Sequence, residues 1–393
     1  VSKVLLLDTG KEWGGGTNSM LELLRRIDRT RFAVTALFYH NYSQADSDVR
    51  SELEKIGIAF RLLDPAPQPW WAKLAKELLR GLLSWHRPLR QRAVHRVELA
   101  WRIRPSGRRI ARVLREGGFD LLYMNNQPSS NAEGYLAAAE AGVPALQHCR
   151  IDVALNRHEV RLANRVARKI ICVSHGVADS LITQGIAAEK CAVVHNGIDG
   201  AIVPPAPVAL AGAPQLVIGA VGSLIARKSV SDLLRAAAIL AKESAPFRLL
   251  IIGDGPQREA LKRLAAELEI AGRTEFAGFQ KEPLPWVAAM DILVLASAKE
   301  GLPRVILEAM LLGKPVVAAD IVGPRELVRA GGNGFLYPHG DVPALAGHLR
   351  RLAGDATLRH DMGRRGREIV LGEFSIERYV EGVEAVMAEV LAA

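Results

Sequence analysis

Two adjoining runs, DILVLAS (291–297) and KEGLPRVILEAM (299–310), decide how the chain is read. The first is an apolar run of strand length; at Gly301 and Pro303 it gives way to apolar residues at helical spacing. That is a strand, a tight turn and a helix start. Such a junction directs free backbone N–H groups and the positive end of the helix dipole at one spot, which suits an anion. Glu300 stands at the turn and Glu308 a little over two helical turns further on, so the pair could touch two parts of one elongated ligand if both faced it. On spacing alone, a solvated turn glutamate followed by an ordinary helix-surface one is the favoured reading.

Outward from this unit, the pattern repeats. KVLLLD, FAVTALF, IAFRLL, FDLLYM, VPALQHCR and KIICVS alternate with helical stretches in the first half; QLVIGAVGSL, FRLLIIGD, TEFAGF, KPVVAAD and NGFLYP do so in the second. Alternation of this kind predicts parallel sheets with crossover helices. A chain of 393 residues exceeds one ordinary core. The Pro-, Ala- and Gly-rich stretch 201–214 is therefore read as a linker between an N-terminal domain over 1–200 and a C-terminal domain over 215–371. The expected fold is α/β, two Rossmann-like parallel-sheet domains facing each other across a cleft, with a shared ligand between them.

With 49% hydrophobic and 24% charged residues, the composition is that of a globular protein, and no run is long enough to cross a bilayer. VSKVLLLDTG reads as a first strand rather than a signal peptide. Three cysteines without a CxxC spacing predict a reduced, cytoplasmic chain with no disulfide framework or zinc site. The net charge of +9 is concentrated: Trp70 to Arg115 carries thirteen Lys and Arg against Glu77 and Glu98, with Trp70, Trp71, Trp85 and Trp101 among them. A basic, Trp-rich helical segment at 65–115 suits an anionic membrane surface, and a helical insertion with inward tryptophans suits it equally. Nucleic acid is not expected as a partner, because no recognition motif accompanies the charge.

The turns carry the remaining signals. Gly14 to Gly16 separate the first strand from the first helix, where a bare backbone can approach a ligand. In Gly222 to Ser229, the adjacent Arg227 and Lys228 suit a diphosphate. Gly253-Asp254-Gly255-Pro256 lacks the G-x-G-x-x-G spacing, which argues against a nicotinamide or flavin. His148 falls at the C-terminal end of its strand, the edge where open parallel sheets bind ligands, although a lone histidine is more often structural. Asp46-Ser47-Asp48 has the spacing of a metal–nucleotide motif but no preceding strand, and reads as a solvated loop. No metal or cofactor is expected.

In order, these turns resemble the GT-B glycosyltransferases, specifically the large retaining family 4. The match runs from the glycine loop through Asn196-Gly197-Ile198-Asp199, Gly222 to Lys228, Gly253 to Pro256 and Gly278-Phe279 to Glu300 and Glu308, then Gly323 to Leu327 and Asn333-Gly334. The resemblance implies that Glu300 contacts the donor sugar and Glu308 the ribose, with the backbone of Gly301, Leu302, Pro303, Arg304 and Val305 along the sugar and phosphates. Lys228 and Arg227 would hold the diphosphate beside Ser223, Gly253 and Asp254. Gly15 and Gly16 would approach from the other domain, His148 would look toward the reacting sugar, and the base would stack near Phe279. A C-terminal helix over 372–393 would return to the N-terminal domain.

Three features depart from the family pattern: Ser223 stands where many relatives carry Arg, Ser229 where they carry Gly, and the 65–115 segment exceeds what the family requires. The implied activity is metal-independent, retaining transfer of a hexose from a nucleotide-diphosphate sugar, UDP ahead of GDP, to a glycan or lipid-linked acceptor in cell-envelope polysaccharide synthesis, at the inner face of the membrane. Retention by same-face attack or by a covalent intermediate stays open, since the motifs supply no obvious nucleophile. The alternatives are a non-catalytic nucleotide-sugar-binding partner and a GT-B sugar phosphorylase.

Overall fold

The computed structural model describes residues 1–10, 13–44, 47–63, 69–82, 84–210, 215–243 and 246–393. The first half runs β1 (Ser2–Asp8), α1 (Gly15–Arg26), β2 (Phe32–Phe38), α2 (Val49–Lys55), β3 (Ala59–Leu62), α3 (Trp70–Leu82), α4 (Arg87–Glu98), α5 (Arg104–Gly117), β4 (Leu121–Met124), α6 (Ala132–Ala141), β5 (Ala145–Cys149), α7 (Arg157–Val166), β6 (Ala167–Cys172), α8 (His175–Thr183) and β7 (Cys191–Val193). The second runs β8 (Leu216–Val221), α9 (Val230–Lys242), β9 (Phe247–Ile252), α10 (Arg258–Glu267), β10 (Thr274–Gly278), α11 (Leu284–Ala288), β11 (Ile292–Leu295), α12 (Arg304–Leu311), β12 (Val316–Ala319), α13 (Pro324–Leu327), β13 (Gly334–Tyr337), α14 (Val342–Gly354), α15 (Ala356–Glu373) and α16 (Ile376–Ala392).

Both main sheets are parallel, a seven-stranded one ordered β3-β2-β1-β4-β5-β6-β7 and a six-stranded one ordered β10-β9-β8-β11-β12-β13. The unbroken apolar runs explain this: in β1, Leu5 and Leu7 enter one core while Val4 and Leu6 enter the other, so both faces must be covered by helices. In each sheet the order reverses beside the first strand, at β1/β4 and β8/β11, which opens a crevice at the C-terminal strand ends.

The basic segment divides. Its last part, α5, is the crossover helix between β3 and β4, and it buries Ile110, Ala111 and Leu114 in the core. A π turn, Leu99–Ile103, leads into it. α3 instead projects outward: Trp70, Leu78 and Leu82 are 75%, 55% and 71% exposed. Trp71 meets Trp101 edge to face at 4.6 Å, and both rings remain exposed.

The closing helix α16 packs on the N-terminal sheet. Tyr379, Val383, Met387 and Val390 are buried in one cluster with α1 and with Leu146 and Ile171 of β5 and β6. Phe374 O accepts from Ile198 N at 2.9 Å and Ile376 N donates to Ile198 O at 3.0 Å, which fastens the crossing. Glu384 accepts from Asp28 N at 2.8 Å. The chain thus passes between the domains twice.

Candidate active site

Helix starts in this fold are of two kinds. Asp48, Asn156, Ser174, Asp341, Asp355 and Ser375 cap their helices with side chains. Like α5, α6, α9, α10, α11 and α13, helices α1 and α12 have no side-chain cap; Gly14 and Pro303 precede them. These two helix starts meet across the cleft, where a Cβ on Gly15 would lie 3.7 Å from the Arg304 Cβ. Two uncapped N-termini side by side concentrate N–H donors and positive dipole ends.

Beside them sit three charges. Lys228 Nζ donates to Glu300 Oε1 at 2.6 Å, and Arg227 Nη1 donates to Lys299 O at 2.8 Å while standing 3.9 Å from Glu300 Oε2. Glu300 is buried. An ammonium has three donors, so Lys228 keeps two N–H groups for another acceptor. Further along α12, buried Glu308 pairs with Arg304 Nε at 3.5 Å. Burial pushes the Glu308 carboxyl above its ordinary value, and Arg304 pulls it partly back.

The flanking turns interlock. Gly222 N donates to Ile252 O at 2.9 Å, Leu224 N to Asp254 O at 2.9 Å and Gly253 N to Gly278 O at 2.7 Å. Gly253 has φ +131°, and a Cβ there would fall 1.9 Å from Gly222 O, so only glycine fits. Ser223 and Asp254 are exposed at this edge, and Phe279 is half-buried beside Gly278.

The N-terminal domain grips the same turn. Asn196 Nδ2 donates to Leu302 O at 2.8 Å, and Asp152 N to Glu300 O at 3.2 Å. Ile151 and Gly301 form a backbone bridge so close that a Cβ on Gly301 would lie 2.2 Å from Arg150 O. Glu326, on α13, accepts from Gly176 N at 2.7 Å and His175 N at 3.0 Å, and lies 3.0 Å from His195 Nε2.

A profile described as Glycosyltransferase Family 4 matches residues 13–201, and one described as Glycosyl transferases group 1 matches 209–369. The chain belongs to the family 4 type of GT-B glycosyltransferases. It is 32% identical over 222 residues to the lipopolysaccharide core biosynthesis glycosyltransferase LpsE of Rhizobium meliloti, covering 56% of this chain and 64% of that one. It is 34% identical over 200 residues to a lipopolysaccharide 1,6-galactosyltransferase of Salmonella typhimurium, covering 49% and 54%. The matches thus span less than two thirds of these curated relatives. The crystal structure of Anabaena Alr3699/HepE in complex with UDP-glucose superposes with a TM-score of 0.77 over 99% of this chain and 100% of that one, at 24% identity, which supports the GT-B fold.

Within this family 4 chain, the structure brings together Glu300, Lys228, Arg227, Glu308, the 301–305 turn and Gly15, with Gly16 next to Arg150. His148 is placed differently. Its side chain is fully buried between Tyr123, whose hydroxyl meets Nδ1, and Tyr379 of α16, and Nε2 has no hydrogen-bond partner. Burial, reinforced by Arg150, holds its pKa well below the ordinary 6.5. Of the triplet read as a loop, Asp46 lies outside the described residues; Asp48 caps α2, accepting from Ser51 N at 2.9 Å. In the linker, 211–214 also lie outside them.

Arg150 was not singled out by sequence. Its guanidinium donates to Asn125 Oδ1 at 2.7 and 2.9 Å, to Tyr379 Oη at 3.0 Å and to Asn196 Oδ1 at 3.2 Å. It therefore ties β5, α16 and the Asn196 turn together behind Gly301. A charged residue directly after a strand at the binding edge was the available signal.

Proposed function

We propose that this chain transfers a hexosyl group, with retention, from a nucleoside diphosphate sugar to a glycan or lipid-linked acceptor of the cell envelope, UDP ahead of GDP as carrier. The supporting observation is the Lys228–Glu300–Arg227 cluster at the uncapped start of α12, facing the glycine start of α1. Cleavage of the sugar–phosphate bond builds charge on the departing diphosphate. Lys228, Arg227 and the helix-start amides stabilise that charge without a metal, with Arg227 serving in place of the arginine that Ser223 replaces. Glu300 lies next to the reacting sugar, and Glu308 accepts from ribose hydroxyls. His148, closed in by Tyr123 and Tyr379, would meet a sugar hydroxyl at its unpaired Nε2 only if that packing opened. Incubation with UDP- and GDP-sugars should give slow donor hydrolysis that Glu300→Ala abolishes; no release from any donor would overturn the reading.

We further propose that α3 seats the protein on an anionic membrane. Trp70, Trp71, Leu74, Leu78 and Leu82 recur at helical spacing on one exposed face beside Lys73 and Arg80. Among the described residues no helix is long and apolar enough to cross a membrane, so this contact is one of surface burial and charge. Co-sedimentation with vesicles should require anionic lipid and weaken with salt. Absence of binding to such vesicles would sink it.

A further inference from the structure

The domain contact at Glu326 contains more than an ion pair. His175, His195 and Glu326 each present a ligand atom, and the three atoms lie within 4.8 Å of one another. Two imidazoles and one carboxylate form a donor set that suits Zn²⁺ and other borderline divalent ions. We propose that these residues form a transition-metal site that joins the two domains, separate from the Lys228–Glu300 cluster.

The geometry is close to what such an ion needs. Zinc–nitrogen and zinc–oxygen bonds of about 2.0–2.2 Å place tetrahedral ligands about 3.3 Å apart. His195 Nε2 and Glu326 Oε2 are already 3.0 Å apart. The His175 side chain is exposed, and its ring stands edge-on to His195 at 5.5 Å, so the movement that would bring it onto a shared ion is a change in its own side-chain torsions. Exposure on that side also provides an entry path and room for a water ligand.

A supporting shell is present. Glu326 is oriented by the amides of His175 and Gly176 at 3.0 and 2.7 Å, and the His195 ring packs on Phe374 at 5.3 Å. Gly176 leaves room for this approach, since a Cβ there would lie 3.0 Å from Val322 Cγ1. Fixed outer contacts of this kind set ligand orientation at metal sites. His175 and His195 belong to the N-terminal domain and Glu326 to α13 of the other. Bound metal therefore favours the apposed arrangement over any in which the domains separate.

The test uses untagged, chelator-stripped full chain, titrated with Zn²⁺ by calorimetry and with Co²⁺ by visible spectroscopy. The expected result is one ion per chain, ligand-field bands without thiolate charge transfer, and a rise in Tm with Zn²⁺. His175→Ala, at an exposed position that leaves the His195–Glu326 contact intact, should weaken binding at least tenfold. His195→Ala should do the same and also remove the Zn²⁺-dependent rise in Tm. No binding to the wild type, binding unchanged in His175→Ala and His195→Ala, or thiolate bands from the cysteines would each overturn the assignment.

Discussion

Ser229 holds φ +46° and ψ +37° just before α9, the left-handed region that a serine enters at a cost of about 1–2 kcal/mol. Its hydroxyl lies 3.1 Å from His339 Nε2, which offsets part of that. Ser229→Gly should therefore raise the unfolding free energy by about 1 kcal/mol, read from denaturant midpoints. At the neighbouring residue, Lys228→Ala should lower kcat about 10²- to 10³-fold in the donor assay, the usual consequence of removing a stabiliser of developing charge. His148 makes a prediction about pH. Its folded pKa is depressed, so the unfolded chain takes up the proton first, and stability is lost as pH falls below 6.5 by up to about 1.4 kcal/mol per pH unit. His148→Gln should flatten that part of the stability–pH curve. The positions of Glu300, Lys228 and Glu308 at a turn or on one helix could be read from sequence because those elements are local, while their roles came only with the family resemblance. Arg150 and the Glu326 contact were not legible, because Glu326 is 131 residues from His195 and only the docking of the domains joins them.

The basic segment shows where composition stops at the scale of an element. Its charge and tryptophans were plain in sequence, but their division was not: α5 sends Ile110 and Leu114 inward as a crossover helix, while α3 leaves its apolar face outside. Which helix covers the sheet depends on chain connectivity between β3 and β4, not on hydrophobicity. The two helices should respond oppositely to substitution. Leu74→Glu with Leu78→Glu should abolish vesicle binding and leave Tm nearly unchanged, since both side chains are exposed. Leu114→Ala should cost about 2–5 kcal/mol of stability, as for other buried leucines.

The two-sheet architecture was readable in the whole molecule from alternating strand and helix patterns, because parallel strands buried on both faces are apolar throughout. How tightly the halves meet was not, since it depends on atoms such as the Arg150 carbonyl against Gly301. Gly301→Val should force that contact apart. Scattering should then report a larger radius of gyration, and transfer should fall by about 10²-fold, as for a misplacement of around 1 Å.

The return of α16 also bears on how the protein is made. Leu146, Ile171 and Val194 share their apolar cluster with Val383, Met387 and other residues of Ile376–Ala392. The domain synthesised first therefore waits, with part of its sheet uncovered, while the whole second domain is translated and folds. During biosynthesis it is the stage at which a chaperone would have most to hold.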